Sequence, residues 1–423
     1  MKYKLKDLCS ITRGATGIMK ADGGKYPLVA LSDERRSHSE YQFDAKAVIV
    51  PLISSTGHGH ASMKRVHYQE GKFALGNILC AVIPNDERQL LPKYLHLYLQ
   101  QFKDSLLVSL MKGAANVSLP MNKLADVEIE VPSLERQLEI IDLEDEAAEL
   151  KNELEERLIA QDGDVAKLRQ AILREAMEGK LTKQNPKDGN ARDLMERIKA
   201  EKIKLRLKEK ALDNIKEDEI PFDIPENWQW CRLATITNFI DYRGKTPNKV
   251  DKGIKLITAK NVKFGFFSNE PEEYISDIDY APHMTRGIPN NGDILFTTEA
   301  PLGNACILNY KEKFALAQRI ITIQPILFNN HFLLYAILSE VIQKQLIKKQ
   351  SGVTAKGIKS SRLVEVLIPL PTLAEQKRIV EKLEQLMKFC DELQHGIQQS
   401  KIENEKLLQG ALRDALKKEV IHS

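Results

Sequence analysis

The sequence predicts an α+β protein built twice: two tandem β-rich units, each followed by a long helix. Three observations lead there. A strand-like run ends at a proline in two places, Leu124-Ala-Asp-Val-Glu-Ile-Glu-Val-Pro132 and Leu363-Val-Glu-Val-Leu-Ile-Pro-Leu-Pro371, which lie 371 − 132 = 239 residues apart. Each proline opens the pattern Pro-x-Leu-x-x-Gln, completed by Gln137 and Gln376. Apolar residues then recur at helical spacing for many turns. A repeat of roughly half the chain is far longer than a solenoid module of about 20–50 residues. It implies two similar domains related by an approximate internal two-fold axis.

The elements of the two halves match in order. Half one opens on Tyr3 with Leu8 and Ile11, half two on Trp228 with Leu233 and Ile236. Both then reach Arg-Gly-x-Thr, as Arg13-Gly14-Ala15-Thr16 and Arg243-Gly244-Lys245-Thr246. Apolar strands with polar tips follow, Leu28-Val-Ala-Leu-Ser-Asp33 and Leu256-Ile-Thr-Ala-Lys-Asn261. The runs Ala47-Val-Ile-Val50 and Asp293-Ile-Leu-Phe296 read as buried strands, being β-branched or aromatic. Each feeds a loop of small residues, Ser54 to His60 and Thr297 to Gly303, and Phe73-Ala-Leu75 pairs with Phe314-Ala-Leu316. Many short strands with few helices make each unit α+β.

In the second helix Ile379, Leu383, Leu386, Cys390, Leu393, Ile397, Ser400, Asn404, Leu407 and Ala411 alternate at four and three residues, a coiled-coil seam. The first helix carries the matching positions Ile140, Glu144, Ala147, Lys151, Leu154, Leu158, Gln161, Val165, Leu168 and Ile172. The boundaries expected are a first unit over 1–132, a helix over 133–180, a connector over 181–222, a second unit over 223–371 and a helix over 372–423. The connector holds a charged helix from Ala191 to Ala211 and a proline-punctuated linker.

Composition narrows the function. Sixty-two basic residues against fifty-nine acidic leave a net charge of +3, so any DNA contact must come from local patches. Five scattered cysteines without a C-x-x-C pair fit a reducing cytosol and argue against structural zinc. No apolar run reaches the roughly 18 residues of a membrane span, and the first residues lack a secretory signal; a cytoplasmic protein is expected. Catalytic signatures fail on inspection. Gly244-Lys245-Thr246 looks like the tail of a phosphate loop, but Phe239 stands where that loop requires glycine. The Asp/Asn-Pro-Pro-Tyr/Phe motif of amino methyltransferases is absent from the sequence.

The combined pattern resembles the specificity subunit of type I restriction–modification systems. The central stretch strengthens the likeness, with Ala171-Ile-Leu-Arg-Glu-Ala, Gly179-Lys-Leu-Thr and Leu194-Met-Glu-Arg-Ile-Lys-Ala-Glu-Lys202 in that family's order. The resemblance covers essentially the whole chain. It implies two target recognition domains, each reading one half of a bipartite, asymmetric site on double-stranded DNA, and helices packed as an antiparallel coiled coil that sets the spacer. It also implies docking of two modification (methyltransferase) subunits, which two restriction subunits can join. The chain would be non-catalytic and bind no cofactor itself, while its partners use S-adenosylmethionine, ATP and Mg2+. A coiled-coil scaffold that binds protein, or the specificity subunit of a methylation-only system, are the rival readings.

Candidate DNA contacts follow the repeat. The Arg-Gly-x-Thr turns offer Arg13, Thr16, Arg243, Lys245 and Thr246 to phosphate or guanine, or else are plain turns with solvated side chains. The tips at Asp33, Lys260 and Asn261 match across the repeat, and asparagine suits adenine, although a solvated turn fits equally. His58, Lys64 and Arg65 place charge beside the glycine-rich loop; a metal reading of the histidines is poor because no third ligand completes it. Lys356 and Lys359 flank the strand that feeds the second helix and suit phosphate or solvent. Trp228 and Trp230 read as core anchors rather than stacking platforms.

Overall fold

Short apolar strands pair in the same way in both halves of the chain. The structure, a computed structural model, describes the chain apart from residues 18–22, 33, 57–58, 115, 208–211, 243–246, 352–355 and 418–423. It divides into two units, residues 1–159 with 398–423, and residues 160–397.

In the first unit an antiparallel sheet runs in the order Cys9–Arg13, Leu79–Pro84, Ala47–Pro51, His67–Gln69. A second sheet runs Arg36–His38, Tyr26–Val29, Lys72–Leu75, Phe43–Asp44, with its central pair parallel. Lys2–Lys4 pairs with Glu128–Glu130 beside the helix start. The second unit repeats the scheme. Its antiparallel sheet is Thr237–Asp241, Ile320–Pro325, Ile294–Thr297, Ala305–Ile307. Its other sheet ends in the parallel pair Ile254–Ile257 with Phe314–Leu316, and Gln229–Arg232 pairs with Leu367–Leu370. The parallel registers correspond: Leu28 opposite Ala74 in one unit, Leu256 opposite Ala315 in the other. Parallel strands need cover on both faces, and Ile254–Ile257 is buried throughout.

Each unit then feeds a long helix, Leu134–Met177 with 44 residues and Leu373–Lys417 with 45, each about 66–68 Å long at 1.5 Å per residue. Both start alike. Ser133 and Thr372 follow the prolines as caps, their hydroxyls accepting from the amides of Arg136 and Glu375. One turn in, Gln137 and Gln376 are fully buried. The Gln137 side-chain oxygen accepts from the Leu91 amide at 2.8 Å, and its nitrogen donates to the Gln89 and Pro132 carbonyls. The Gln376 oxygen accepts from the Asn329 amide, also at 2.8 Å, and its nitrogen donates to the Pro371 carbonyl. Leu91 and Asn329 are themselves the caps of short domain helices, Pro92–Gln101 and Asn330–Leu338. The repeated glutamine thus bolts two helix starts together inside each unit.

Within each unit, segments of the two long helices lie side by side. In the second unit Asp162 accepts from Gln394, and Arg169 pairs with Asp391 at 2.6 Å, so rising numbers on one helix meet falling numbers on the other. In the first unit Leu412 and Leu416 join the core that holds Ile140, and Arg136 donates to the Ala415 carbonyl. The heptad seam holds at Ile379, Leu383, Cys390, Val165 and Ile172, all buried, but not at Leu393, which is 38% exposed, nor at Leu168 and Leu407, which are 40% and 69% exposed. Those two positions are 239 residues apart and leave the seam for one reason. The domain core packs on the helix ends too, so the buried stripe swings to Leu173, Ala176 and Met177 in one unit and to Leu412 and Leu416 in the other.

The connector is pinned to the second unit. Gly179 turns the chain at φ +71°, where an added Cβ would run into Pro225. Gln184 and the Trp228 indole both donate to the buried Glu375 carboxylate, and Asp188 pairs with Arg378 at 2.5 Å. Burial raises the Glu375 carboxyl above its ordinary pKa, against those donors. The charged helix is shorter than expected, Ala191–Lys204 rather than reaching Ala211. Lys202 is buried and donates to the Ala234 carbonyl at 2.5 Å, and Arg206 adopts φ +53°, which ends the helix. Trp228 and Trp230 sit in the interior as expected.

Replacing Gln137 or Gln376 by alanine strands a main-chain amide in each case. Each substitution is predicted to lower stability by about 1–3 kcal/mol in denaturant unfolding. A loss below about 0.5 kcal/mol at both sites, the scatter of ordinary surface changes, would refute the bolt.

Candidate nucleic-acid interface

One end of the antiparallel sheet gathers the polar loops of the first unit. The turn Gly76-Asn77-Ile78 is its hub. Gly76 donates to the Val29 carbonyl, Asn77 to Thr16 and Leu52 to Ile78, and Leu119 donates back to Leu52. These bonds bring together the Arg13–Thr16 turn, the tip after Val29, the loop after Leu52 and the hairpin whose stems Lys112 and Ser118 exchange two backbone bonds. Most of the rim recurs among the described residues of the second unit, where the counterpart of the Arg13–Thr16 turn, residues 243–246, lies outside them. Ala317 donates to Ile257, Thr298 to Arg319 and Ile358 to Thr298, and Ser351 and Gly357 close the hairpin. The hairpin stems are separated by 239 residues in the chain, from Lys112 to Ser351.

The sequence-derived candidates land on this rim with different fates. Arg13 is exposed at the end of its strand, and its Nε donates to the Asn77 carbonyl at 2.6 Å. Gly14 behind it is buried, and an added Cβ would collide with the carbonyl oxygens of Leu75 and Gly76. Thr16 is held by its backbone against Leu75 and Gly76. Lys64 and Arg65 border a concavity of about 380 Å³ shared with Arg35, His67, His96 and Gln100. Gln100 accepts the Val66 amide at 2.7 Å, while burial pushes His96 below the usual imidazole range, so the permanent charge there is Arg35, Lys64 and Arg65. Lys260 is exposed and lies 3.7 Å from Glu273. Lys356 and Lys359 are exposed beside the second hairpin, with Arg362 one turn on.

Asn261 requires correction. It is fully buried; its oxygen accepts from the Thr258 amide and hydroxyl, and its nitrogen donates to the Ser268 and Pro271 carbonyls at 3.0 Å each. With its hydrogen-bonding capacity spent on the loop, it shapes the tip rather than reading a base. Asp33, His58, Arg243, Lys245 and Thr246 lie outside the described residues. Sequence reasoning missed Arg35, and with it His96 and Gln100, which sit one turn apart on the helix Pro92–Gln101 and meet Arg35 only through the fold. It also missed Gln42, whose side chain spans the Arg13 turn, donating to the Arg13 carbonyl at 3.0 Å and accepting from Ala15 at 2.8 Å. Among the described residues no cluster of three His, Cys, Asp or Glu side chains could hold a metal ion, and no helix is long and apolar enough to cross a membrane.

Residues 1–161 and 225–404 match the family described as type I restriction modification DNA specificity domain. The chain belongs to that family. The two matched stretches coincide with the two repeats of the sheet scheme, so the specificity domain occurs twice in tandem. The chain is 30% identical over 276 residues to the type I restriction enzyme EcoAI specificity subunit of Escherichia coli, which is 61% of this chain and 46% of that one. It is 22% identical over 434 residues to the EcoDI specificity subunit of Escherichia coli, covering 99% and 88%. It spans less than half the length of the EcoAI, EcoEI and MjaVIII relatives it matches. Its fold is similar to a chain in a structure describing complex assembly and conformational transition of the type I R-M system, with a TM-score of 0.59, 17% identity and coverage of 98% and 97%. The HsdS subunit from Thermoanaerobacter tengcongensis gives a TM-score of 0.51 at 18% identity, covering 99% and 96%.

Proposed function

We propose that this chain is the sequence-specific DNA-recognition subunit of a type I restriction–modification complex. Each recognition domain, residues 1–132 and 223–371, reads one half of a bipartite, asymmetric target through its rim. The observation that carries the reading is the recurrence of the strand-end and hairpin bonds of that rim in a chain whose two halves both match the specificity domain. Arg13, Thr16, Lys64, Arg65, Lys260, Lys356 and Lys359 supply the contacts, the lysines and Arg65 holding phosphate and fixing register while Arg13 and the loops face the bases. The loops differ in length and residue type between the units, so the half-sites differ.

The long helices act as the spacer and as the docking surface for two modification subunits, which two restriction subunits can join. Chemistry then lies with the partners, which use S-adenosylmethionine, ATP and Mg2+, and this chain selects where they act in the cytoplasm.

Co-expression with the modification subunit, followed by sequencing of N6-methyladenine, is predicted to yield an interrupted motif. Exchanging residues 1–132 for the equivalent unit of a relative should change one half of that motif; a change in both halves contradicts the assignment of one domain to one half-site. Removing one heptad from both helices shortens the spacer by about 10.5 Å. At about 3.4 Å per base pair the unspecified gap should contract by about three. An unchanged gap would contradict helix length setting the spacer.

A further inference from the structure

The Arg13 turn is more rigid than a phosphate contact requires. Its backbone is tied on both sides: Gly14 donates to the Leu79 carbonyl and Thr16 to the Leu75 carbonyl, each at 3.0 Å. Between those ties the Gln42 carboxamide closes the turn across Gly14, donating to Arg13 and accepting from Ala15. Gln42 is itself anchored, its amide donating to the Phe73 carbonyl at 2.9 Å on the neighbouring sheet. The Arg13 side chain is then oriented through Nε, at 2.6 Å from the Asn77 carbonyl on the hub turn. That bond uses the inner nitrogen and leaves the Nη pair for a ligand. Two planar donors held at a fixed place match the O6 and N7 acceptors on the major-groove edge of guanine. Phosphate is served as well by a mobile lysine on a flexible stem, for which none of this ordering is needed.

We infer that Arg13 reads one guanine in the half-site of the first unit, and that Gln42 is the positioning residue that makes the reading selective. This rests on the DNA-recognition function proposed above. The side-chain freedom that a flexible arginine would lose on binding is already lost in the free protein, so the contact discriminates rather than merely attracts.

The test uses the full chain co-purified with its modification subunit and duplexes carrying the mapped motif. In one duplex after another, a single guanine of the first half-site is replaced by 7-deazaguanine, which lacks the N7 acceptor. Wild-type protein should lose on the order of 10-fold in affinity at one guanine, the value of a bidentate arginine–guanine pair. R13A should bind the wild-type and substituted duplexes alike at that position. R13K, which keeps the charge and loses the planar fork, should discriminate less than wild type. Q42A should lose most of the discrimination while retaining wild-type affinity for the substituted duplex, with no further loss in the R13A/Q42A double variant.

Equal weakening of every duplex by R13A, with a salt slope shallower by about one, would make Arg13 a phosphate contact and overturn the inference. So would an R13A protein that still loses affinity at the same guanine, which also decides the matter should Q42A fail to fold. Absence of any sequence preference in the wild-type complex would instead overturn the recognition function itself.

Discussion

The structure depends on a buried carboxamide used twice. A long helix that merely leaves a domain by a proline turn is free to swing, because few contacts cross such a junction. Gln137 and Gln376 remove that freedom by spending their oxygen on the cap amide of a domain helix and their nitrogen on the carbonyl before the long helix begins. A buried amide left unpaired on either side is costly, which makes the junction specific as well as strong. The recognition sheet and the first turn of the long helix therefore move as one body. In the second unit the junction is reinforced by the connector, through Gln184 and Trp228 on Glu375 and Asp188 on Arg378. In the first unit the last turn of the other long helix stands in its place, with Arg136 on the Ala415 carbonyl.

The rim inherits its order from the same framework. Parallel strands and their antiparallel neighbours all end at one hub turn, so loops far apart in sequence emerge side by side. Backbone bonds fix where each loop starts, and side chains remain free to vary. This is the division expected of a scaffold that must keep its shape while its specificity changes. Asn261 belongs to the fixed part although it sits at a loop tip.

Much of this was legible in the sequence because duplication doubles each signal. Pro-x-Leu-x-x-Gln marked the start of both long helices within two residues of Leu134 and Leu373, and the runs matched across the repeat form corresponding strands in the two units, though which strands pair was not legible. What sequence could not supply was burial shared among three elements. The heptad pattern knows only a partner helix, so it placed Leu168 and Leu407 in a seam from which the domain cores displace them. An asparagine at a loop tip looks the same whether it faces solvent or folds inward, and only the Ser268 and Pro271 carbonyls decide that for Asn261. Arg35 meets His96 and Gln100, one turn apart on their helix, only in space.

Amide hydrogen exchange on the full chain with its modification subunit, with and without a duplex carrying the mapped motif, bears most directly on the central claim. The duplex is predicted to slow exchange at both rims together, in the segments 52–66 and 112–119 of the first unit and 298–304 and 351–359 of the second. Slowing at one rim alone, or only along the long helices, would contradict a reader made of two equivalent domains.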